Sequence, residues 1–259
     1  MTISATDVNA GRVDVRVADG VATVLFHHPK GNSLPAALLR RLAEAVTEVG
    51  ADDAARVVVL RSEGSGPFCA GASFAELQAV QDAEGGAAFF MGFARLILAM
   101  RDCPKFVLTR VHGRAVGGGV GVVAASDYAF AMRGASVKLS ELAIGIGPFV
   151  IGPVVERRIG PGPFAALSID AAGWRDADWA ERHGLYARLF DVEAEMDAAL
   201  DALARTLARS NPEAMRELKR VFWQGTDHWP SLLPERAAMS GRLVLSEFSR
   251  NAIASFAGR

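Results

Sequence analysis

Two short glycine-bearing segments constrain this chain more than any other feature. Pro67-Phe68-Cys69-Ala70-Gly71-Ala72 and Arg114-Ala115-Val116-Gly117-Gly118-Gly119 each follow an apolar, strand-like run, and each opens a helical pattern. A helix N-terminus offers unpaired backbone N–H groups at the positive end of a dipole. Glycine lets a ligand approach the backbone where a Cβ would block it. Two such N–H groups converging from different loops would form an oxyanion hole, which stabilises charge developing on a carbonyl oxygen.

The rest of the chain reads as an α/β fold built around those loops. Residues 13–26 predict a hairpin: Val13, Val15 and Val17 alternate with Asp14 and Arg16, Asp19-Gly20 marks the turn, and Val21 to Phe26 returns. Leu38, Leu39, Leu42, Val46 and Val49 fall at helical spacing, and residues 56–61 read as a buried strand. A loop over 62–72 leads to a helix over 73–81, which Gly85-Gly86 is expected to separate from a second helix over 87–100. A strand over 106–111, a loop over 112–116, a small-residue helix over 117–125 and a strand over 127–131 follow, and 141–153 reads as irregular. From about Asp191 onward long helical patterns dominate, ending in amphipathic stretches over 235–256. This divides the chain into a strand–helix core over residues 1–195 and a helical C-terminal region over 196–259.

Composition narrows the function classes. With a formal net charge of −1 and basic residues spread along the chain, there is no stripe for nucleic acid. The two cysteines, Cys69 and Cys103, have no metal-ligand spacing and make no disulfide framework. Met1 to Gly11 lacks the layout of a signal peptide, and no apolar run reaches the roughly 18 residues of a membrane span. A cytoplasmic protein without membrane or nucleic-acid partners is the expectation. Gly117, Gly119 and Val122 break the dinucleotide fingerprint at its last glycine, and no phosphate loop, H-E-x-x-H or G-x-S-x-G motif is present.

At the two loops the chain resembles a known family. FCAGASFAEL (68–77) is similar to the first oxyanion motif of the enoyl-CoA hydratase/isomerase (crotonase) family, commonly AFCAGADLKEM. VHGRAVGGGVGVVAASDYAFA (111–131) resembles its second, V-N-G-x-A-x-G-G-G followed by a small-residue helix and C-D. The order of elements agrees from about residue 13 to the helical tail. The resemblance implies a crotonase-like spiral of strand–strand–helix units, with a helical C-terminal region that assembles a homotrimer or a hexamer. It implies oxyanion donors at the N–H groups of Ala72 and Gly118, and coenzyme A contacts around Lys30, Ala70 and Ala72. Coenzyme A would enter as part of the substrate, with no permanently bound cofactor and no metal.

Proton transfer to or from an enolate needs an acid/base group. Hydratases of this family commonly use two glutamates. Glu141, within Leu139-Ser140-Glu141-Leu142-Ala143-Ile144-Gly145-Ile146, matches the second, in a stretch similar to x-P-E-V-x-L-G-I, and Gly121 stands at the first. Apolar neighbours would raise the pKa of Glu141 toward neutrality. Methylglutaconyl-CoA hydratase-like proteins and the dehydratases of polyketide β-branching also resemble this G-G-G-V-G…S-E-L pattern. Phe149 and Val150, in Gly147-Pro148-Phe149-Val150-Ile151-Gly152-Pro153, depart from the usual I-P-G-x-G-G-T and should reshape the acyl pocket.

The expected activity is a lyase adding water to, or removing it from, an α,β-unsaturated acyl-CoA with a branched or dicarboxylic acyl group. The alternatives are a Δ3,Δ2-enoyl-CoA isomerase and, from another class, a non-catalytic acyl-CoA binder. His112 is expected to make a structural hydrogen bond, Glu76 to sit on a solvated helix face, Asp127 to tie down backbone, and Cys69 to serve as a small buried hydrophobe. Phe222, Trp223 and Trp229 are expected in the core or a subunit interface.

Overall fold

The opening hairpin sets the direction of the sheet. Asp19 and Gly20, at φ of 52° and 79°, supply the left-handed pair required by a two-residue turn matched to strand twist. In the computed structural model, which describes residues 11–257, β1 (Arg12–Ala18) and β2 (Val21–His27) pair antiparallel, with Ala18 opposite Val21. The remaining N-terminal segment, Met1 to Ala10, lies outside the described residues. β1 is the sheet edge, so Val13 and Val17 are half-buried while Val15 stays 39% exposed.

From β2 onward each strand of the main sheet runs parallel to its neighbour. α1 (Ala36–Ala51) leads to β3 (Val57–Ser62), and α2 (Phe74–Ala79) and α3 (Ala83–Asp102) lead to β4 (Val107–Val111). β5 (Ala115–Val116) and α4 (Gly118–Ala125) precede β6 (Tyr128–Met132) and β7 (Val137–Lys138). A 3-10 turn (Leu142–Ile144), α5 (Gly152–Ile159), α6 (Pro161–Ile169) and α7 (Ala177–Arg182) lead to β8 (Arg188–Phe190). α8 (Glu193–Ala208), α9 (Pro212–Phe222), α10 (Trp229–Leu243) and α11 (Glu247–Ala257) follow. The main sheet has the order β1-β2-β3-β4-β6-β8.

A second, minor layer turns this sheet into a spiral. After leaving β2, β3, β4 and β6, the chain makes a short extended stretch before its next helix: Leu34, Cys69–Ala72, β5 and β7. Leu34 bridges Ala72, Cys69 bridges Ala115, Ala115 pairs with Val137, and Val137 bridges Arg175. Each turn therefore comprises a long strand, a short strand and a helix. The expected loop over 112–116 thus ends in strand, because Ala115 and Val116 complete this ladder.

Side-chain alternation divides the core between the two faces of the main sheet. Val58 and Leu60 of β3 face a core shared with Leu39 and Leu42 of α1, Phe93 and Ile97 of α3, and Leu233 of α10. Val57 and Val59 face the opposite way, against Met196, Leu200 and Ala204 of α8. A strand buried on both faces reads as a continuous apolar run, as 57–60 does. The boundary placed at residue 195 falls inside α8, which lies on the sheet.

Two expectations about α3 are corrected. Gly85 and Gly86 do not interrupt a helix but lie in its first turn, with the Asp82 carboxylate accepting from Gly85 N at 2.7 Å. A Cβ on Gly86 would sit 2.7 Å from the Cα of Gly241 in α10, so backbone meets backbone where those helices cross. Close approach, rather than termination, accounts for this glycine. The uninterrupted helix of 20 residues is also long and apolar enough, by length and composition, to cross a membrane. Half of its apolar window is buried inside the fold, against α1, α4 and α10.

The C-terminal helices are tied to the sheet through Asp127. Its carboxylate accepts from Val107 N at 2.7 Å and from Trp223 Nε1 at 3.3 Å, and pairs with Lys219 at 2.9 Å. Both members of the ion pair are buried, with side-chain exposures of 3% and 5%. Removing one partner of such a pair leaves a buried charge uncompensated. Lys219→Met is therefore expected to lower unfolding stability by about 3–5 kcal/mol in urea titrations. Asp127→Asn/Lys219→Met should recover part of that loss, and a single variant as stable as the parent would refute the account.

Candidate active site

The minor layer brings the two glycine loops side by side. Leu34 N donates to Gly71 O at 2.8 Å, Val116 N to Cys69 O at 2.9 Å, and Gly117 N to Lys138 O at 2.8 Å. At Gly71 (φ +89°) a Cβ would lie 2.9 Å from Val116 O and 3.9 Å from Gly118 N. Ala72, the next residue, and Gly118 thus emerge from neighbouring strands of one ladder. No acceptor among the described residues pairs with the backbone N–H of either. Both residues line a single pocket, and Gly118 opens α4.

The same ladder delivers Glu141. β7 ends at Lys138, and three residues later Glu141 starts the 3-10 turn. Its carboxylate lies against Gly117, where a Cβ would come within 2.9 Å of Oε1. Gly117 holds φ of +52°, a conformation strained for any residue with a side chain, so geometry and space both require glycine there. Oε2 is buried and has no hydrogen-bond partner among the described residues. Burial pushes the carboxyl up to about 7, against the opposing pull of the backbone at Glu141 and Ser140.

The pocket is narrow, with a cavity volume of about 50 Å³. Its wall is largely hydrocarbon, from Phe74, Leu77, Phe90, Phe93, Ile146 and Ile151 among others, and Glu141 is its one titratable side chain among the described residues. Ala70, Ala72, Gly118 and Glu141 all meet on this wall. Lys30 does not: it is exposed and outside the lining, although its neighbour Gly31 accepts from Ala70 N at 3.1 Å. The sequence reading had no account of Phe90, Phe93 or Ser240, which reach the pocket from α3 and α10. The aromatic cluster Phe89, Phe90 and Phe93 was the available signal, and Phe93 occupies the space a Gly118 Cβ would need.

Residues beside the pocket act through structure. Cys69 is buried beneath Gly119, and desolvation pushes its thiol up to about 12, so it packs as a small hydrophobe. The ring nitrogens of His112 are buried, with the backbone of Gly66 as their polar contact; burial first, and Arg110 second, lower its pKa. Glu76 does more than face solvent, accepting from Ala36 N at 2.7 Å and so joining α2 to the start of α1. Trp223 and Trp229 pack edge-to-face at 5.8 Å in the core, while Phe222 is exposed and stacks on Phe106.

A sequence model of the family described as enoyl-CoA hydratase/isomerase matches residues 16–253. This chain belongs to that family. It is 30% identical over 212 residues to the (7aS)-7a-methyl-1,5-dioxo-2,3,5,6,7,7a-hexahydro-1H-indene-carboxyl-CoA hydrolase of Mycobacterium tuberculosis, spanning 78% of this chain and 80% of that protein. It is 32% identical over 201 residues to the mitochondrial methylglutaconyl-CoA hydratase of Rattus norvegicus, spanning 76% of this chain and 63% of that one. The solved structure of an enoyl-CoA hydratase from Mycobacterium avium matches with a TM-score of 0.82 and 26% identity, over 95% of this chain and 96% of that one. The protein is therefore an enzyme with the crotonase fold, of a family acting on acyl-CoA thioesters.

The buried carboxyl has a consequence for stability. In the unfolded chain Glu141 ionises near 4.5, but in the folded crotonase-family site only near 7. Folding therefore carries no penalty from this group below pH 4.5, and a growing one as pH rises to about 7, on the order of 3–4 kcal/mol when complete. Glu141→Gln is expected to raise Tm at pH 8 and to leave it nearly unchanged at pH 4.5. Equal shifts at the two pH values would show that the carboxyl is not desolvated.

Proposed function

We propose that this enzyme forms and quenches the enolate of an α,β-unsaturated acyl-CoA thioester, working as a hydro-lyase with Glu141 as its sole proton carrier. The observation that carries this reading is the Glu141 carboxylate lying on Gly117, one residue before the unengaged Gly118 N–H. In hydration, water attacks C3 while the Glu141 carboxylate takes its proton, and the displaced electron pair moves onto the thioester oxygen. The N–H groups of Ala72 and Gly118 hold that oxyanion. Glu141 then returns the proton to C2 and the carbonyl reforms, with one water added overall. Dehydration is the same sequence reversed, and either direction starts from ionised Glu141.

Ala70 and Ala72, on the pocket wall, are the proposed coenzyme A contacts, with Lys30 reaching toward the phosphates from the adjoining loop. A branched acyl group is favoured over a dicarboxylic one, because the lining offers no cation to a distal carboxylate. Exposed Leu218, Val221 and Phe222 on α9 are consistent with assembly into a homotrimer or hexamer. The isomerase reading draws on the same single carboxylate, which can take a proton from C2 of a 3-enoyl thioester and return it at C4.

Mass-spectrometric turnover of 2-enoyl-, 3-enoyl- and branched glutaconyl-type CoA esters separates these readings. A gain of one water is expected from a branched 2-enoyl thioester. A shifted double bond without added mass would make the enzyme an isomerase. The kcat/KM profile should rise with an apparent pKa of about 7. Glu141→Gln should lower turnover about 10²–10⁴-fold, and unchanged turnover would remove Glu141 from the mechanism.

A further inference from the structure

At about 50 Å³ the pocket has room for a few waters rather than for an acyl chain, so part of its wall must move when a substrate enters. Phe74, Phe90, Phe93 and Phe149 line it, and the first three are fixed. Phe90 and Phe93 are buried on α3, where Phe93 lies against Gly118 and both pack on Phe89. Phe74 begins α2, whose first turn is capped by Ser73, and packs on the core. Phe149 is different: it is half-buried, packs on neither core, and belongs to a turn outside any helix or strand. Its N–H donates to Gly147 O at 2.7 Å, which folds the ring back onto that glycine. A Cβ on Gly147 would lie 2.6, 2.8 and 2.9 Å from three atoms of the ring, so the absent side chain is the ring's seat.

We propose that Phe149 is a specificity-determining residue that sets the size of the acyl group: its ring leaves the Gly147 seat when substrate enters, and the acyl group takes the space given up. This rests on the reading of the pocket as an acyl-CoA site. The rest of the wall does not yield so readily, because displacing a buried Phe, Ile or Val from a close-packed core leaves a void. Ile151, two residues on, is held by the bond from Val155 N to its carbonyl at 3.0 Å, whereas Gly145 (φ +78°) and Gly147 precede Phe149 without side chains. The space released is that of one phenyl ring. It admits a short or branched acyl group and excludes a long straight chain. The substrate class is therefore a 2-enoyl thioester whose acyl group beyond C3 is no bulkier than the ring it displaces.

The test compares chain-length preference in the parent enzyme, Phe149→Ala, Phe149→Leu and Gly147→Ala. Dissociation constants for saturated acyl-CoA esters, from butyryl to dodecanoyl, are read by titration calorimetry, so the comparison needs no turnover. Phe149→Ala should tighten dodecanoyl-CoA about tenfold or more relative to butyryl-CoA, a change of the size that pocket contacts make, and Phe149→Leu should fall between. Gly147→Ala takes the seat away, and should shift the preference in the parent but not in the Phe149→Ala background, where no ring remains to be unseated. An unaltered length preference in Phe149→Ala, or a Gly147→Ala effect of equal size in both backgrounds, would overturn the proposal. The 2-enoyl forms of the same esters report the chemistry separately. A shifted binding preference without turnover would keep the size limit and sink the enolate mechanism, whereas turnover with an unaltered preference would do the reverse. No binding of any ester by the parent would remove the acyl-CoA reading and this proposal together.

Discussion

The short ladder linking Leu34, Cys69–Ala72, Ala115–Val116 and Val137–Lys138 is the constraint on which the site depends. None of its pieces is long enough to persist alone, since isolated short strand pairs are marginal in water. Each is held because it continues from a long strand of the main sheet and is anchored by the next helix. The ladder hydrogen bonds use the N–H groups of Val116 and Gly117 and leave that of Gly118 unengaged. A single register thus fixes where backbone polarity is consumed and where it remains available.

That register also determines the environment of Glu141. Three residues beyond β7, its carboxyl has no course except across Gly117 into an apolar chamber. Desolvating the carboxyl costs stability, and the cost is tolerated because the surrounding packing is independent of it: Phe93, Ile144 and Ile151 are buried whether or not the acid is charged. The same hydrocarbon that penalises ionisation brings the proton affinity near neutrality, where a group can both take and give a proton. Stability and reactivity are set against each other at this one side chain.

What was legible in the sequence was what is local. The Asp19-Gly20 turn, the apolar run of β3 and the two loops between strand and helix are each specified by a few consecutive residues, and each occurs where expected. Glu141 was legible as an acid/base group only beside the family motifs, because its apolar neighbours predict burial but not what its carboxyl faces. The pocket wall was legible only in part: Phe149 and Val150 line it, but Phe93, Ser240 and Ile151 come from α3, α10 and the residue before α5, whose meeting is decided by tertiary packing. Gly85 and Gly86 were misread for the same reason. Helix propensity charges a glycine about 1 kcal/mol, so their presence looks like a break, and only the crossing with α10 shows that a side chain would have no room. Lys30 stands apart from the pocket wall, in a loop that adjoins Ala70 while its side chain remains at the surface.

Fold similarity alone does not fix this enzyme's reaction. Relatives that share 26–32% of its residues carry names as different as hydrolase, hydratase and dehydratase, each for a CoA thioester. The proposed mechanism asks for a held thioester oxygen, and the unengaged Gly118 N–H offers it backbone rather than a side chain. In that mechanism the fate of the enolate depends on the groups around its carbons, and the segment before α5 supplies several of them. Gly121 and Ile151 are mutually dependent there, because an added Cβ at the first does not fit while the second keeps its branched side chain.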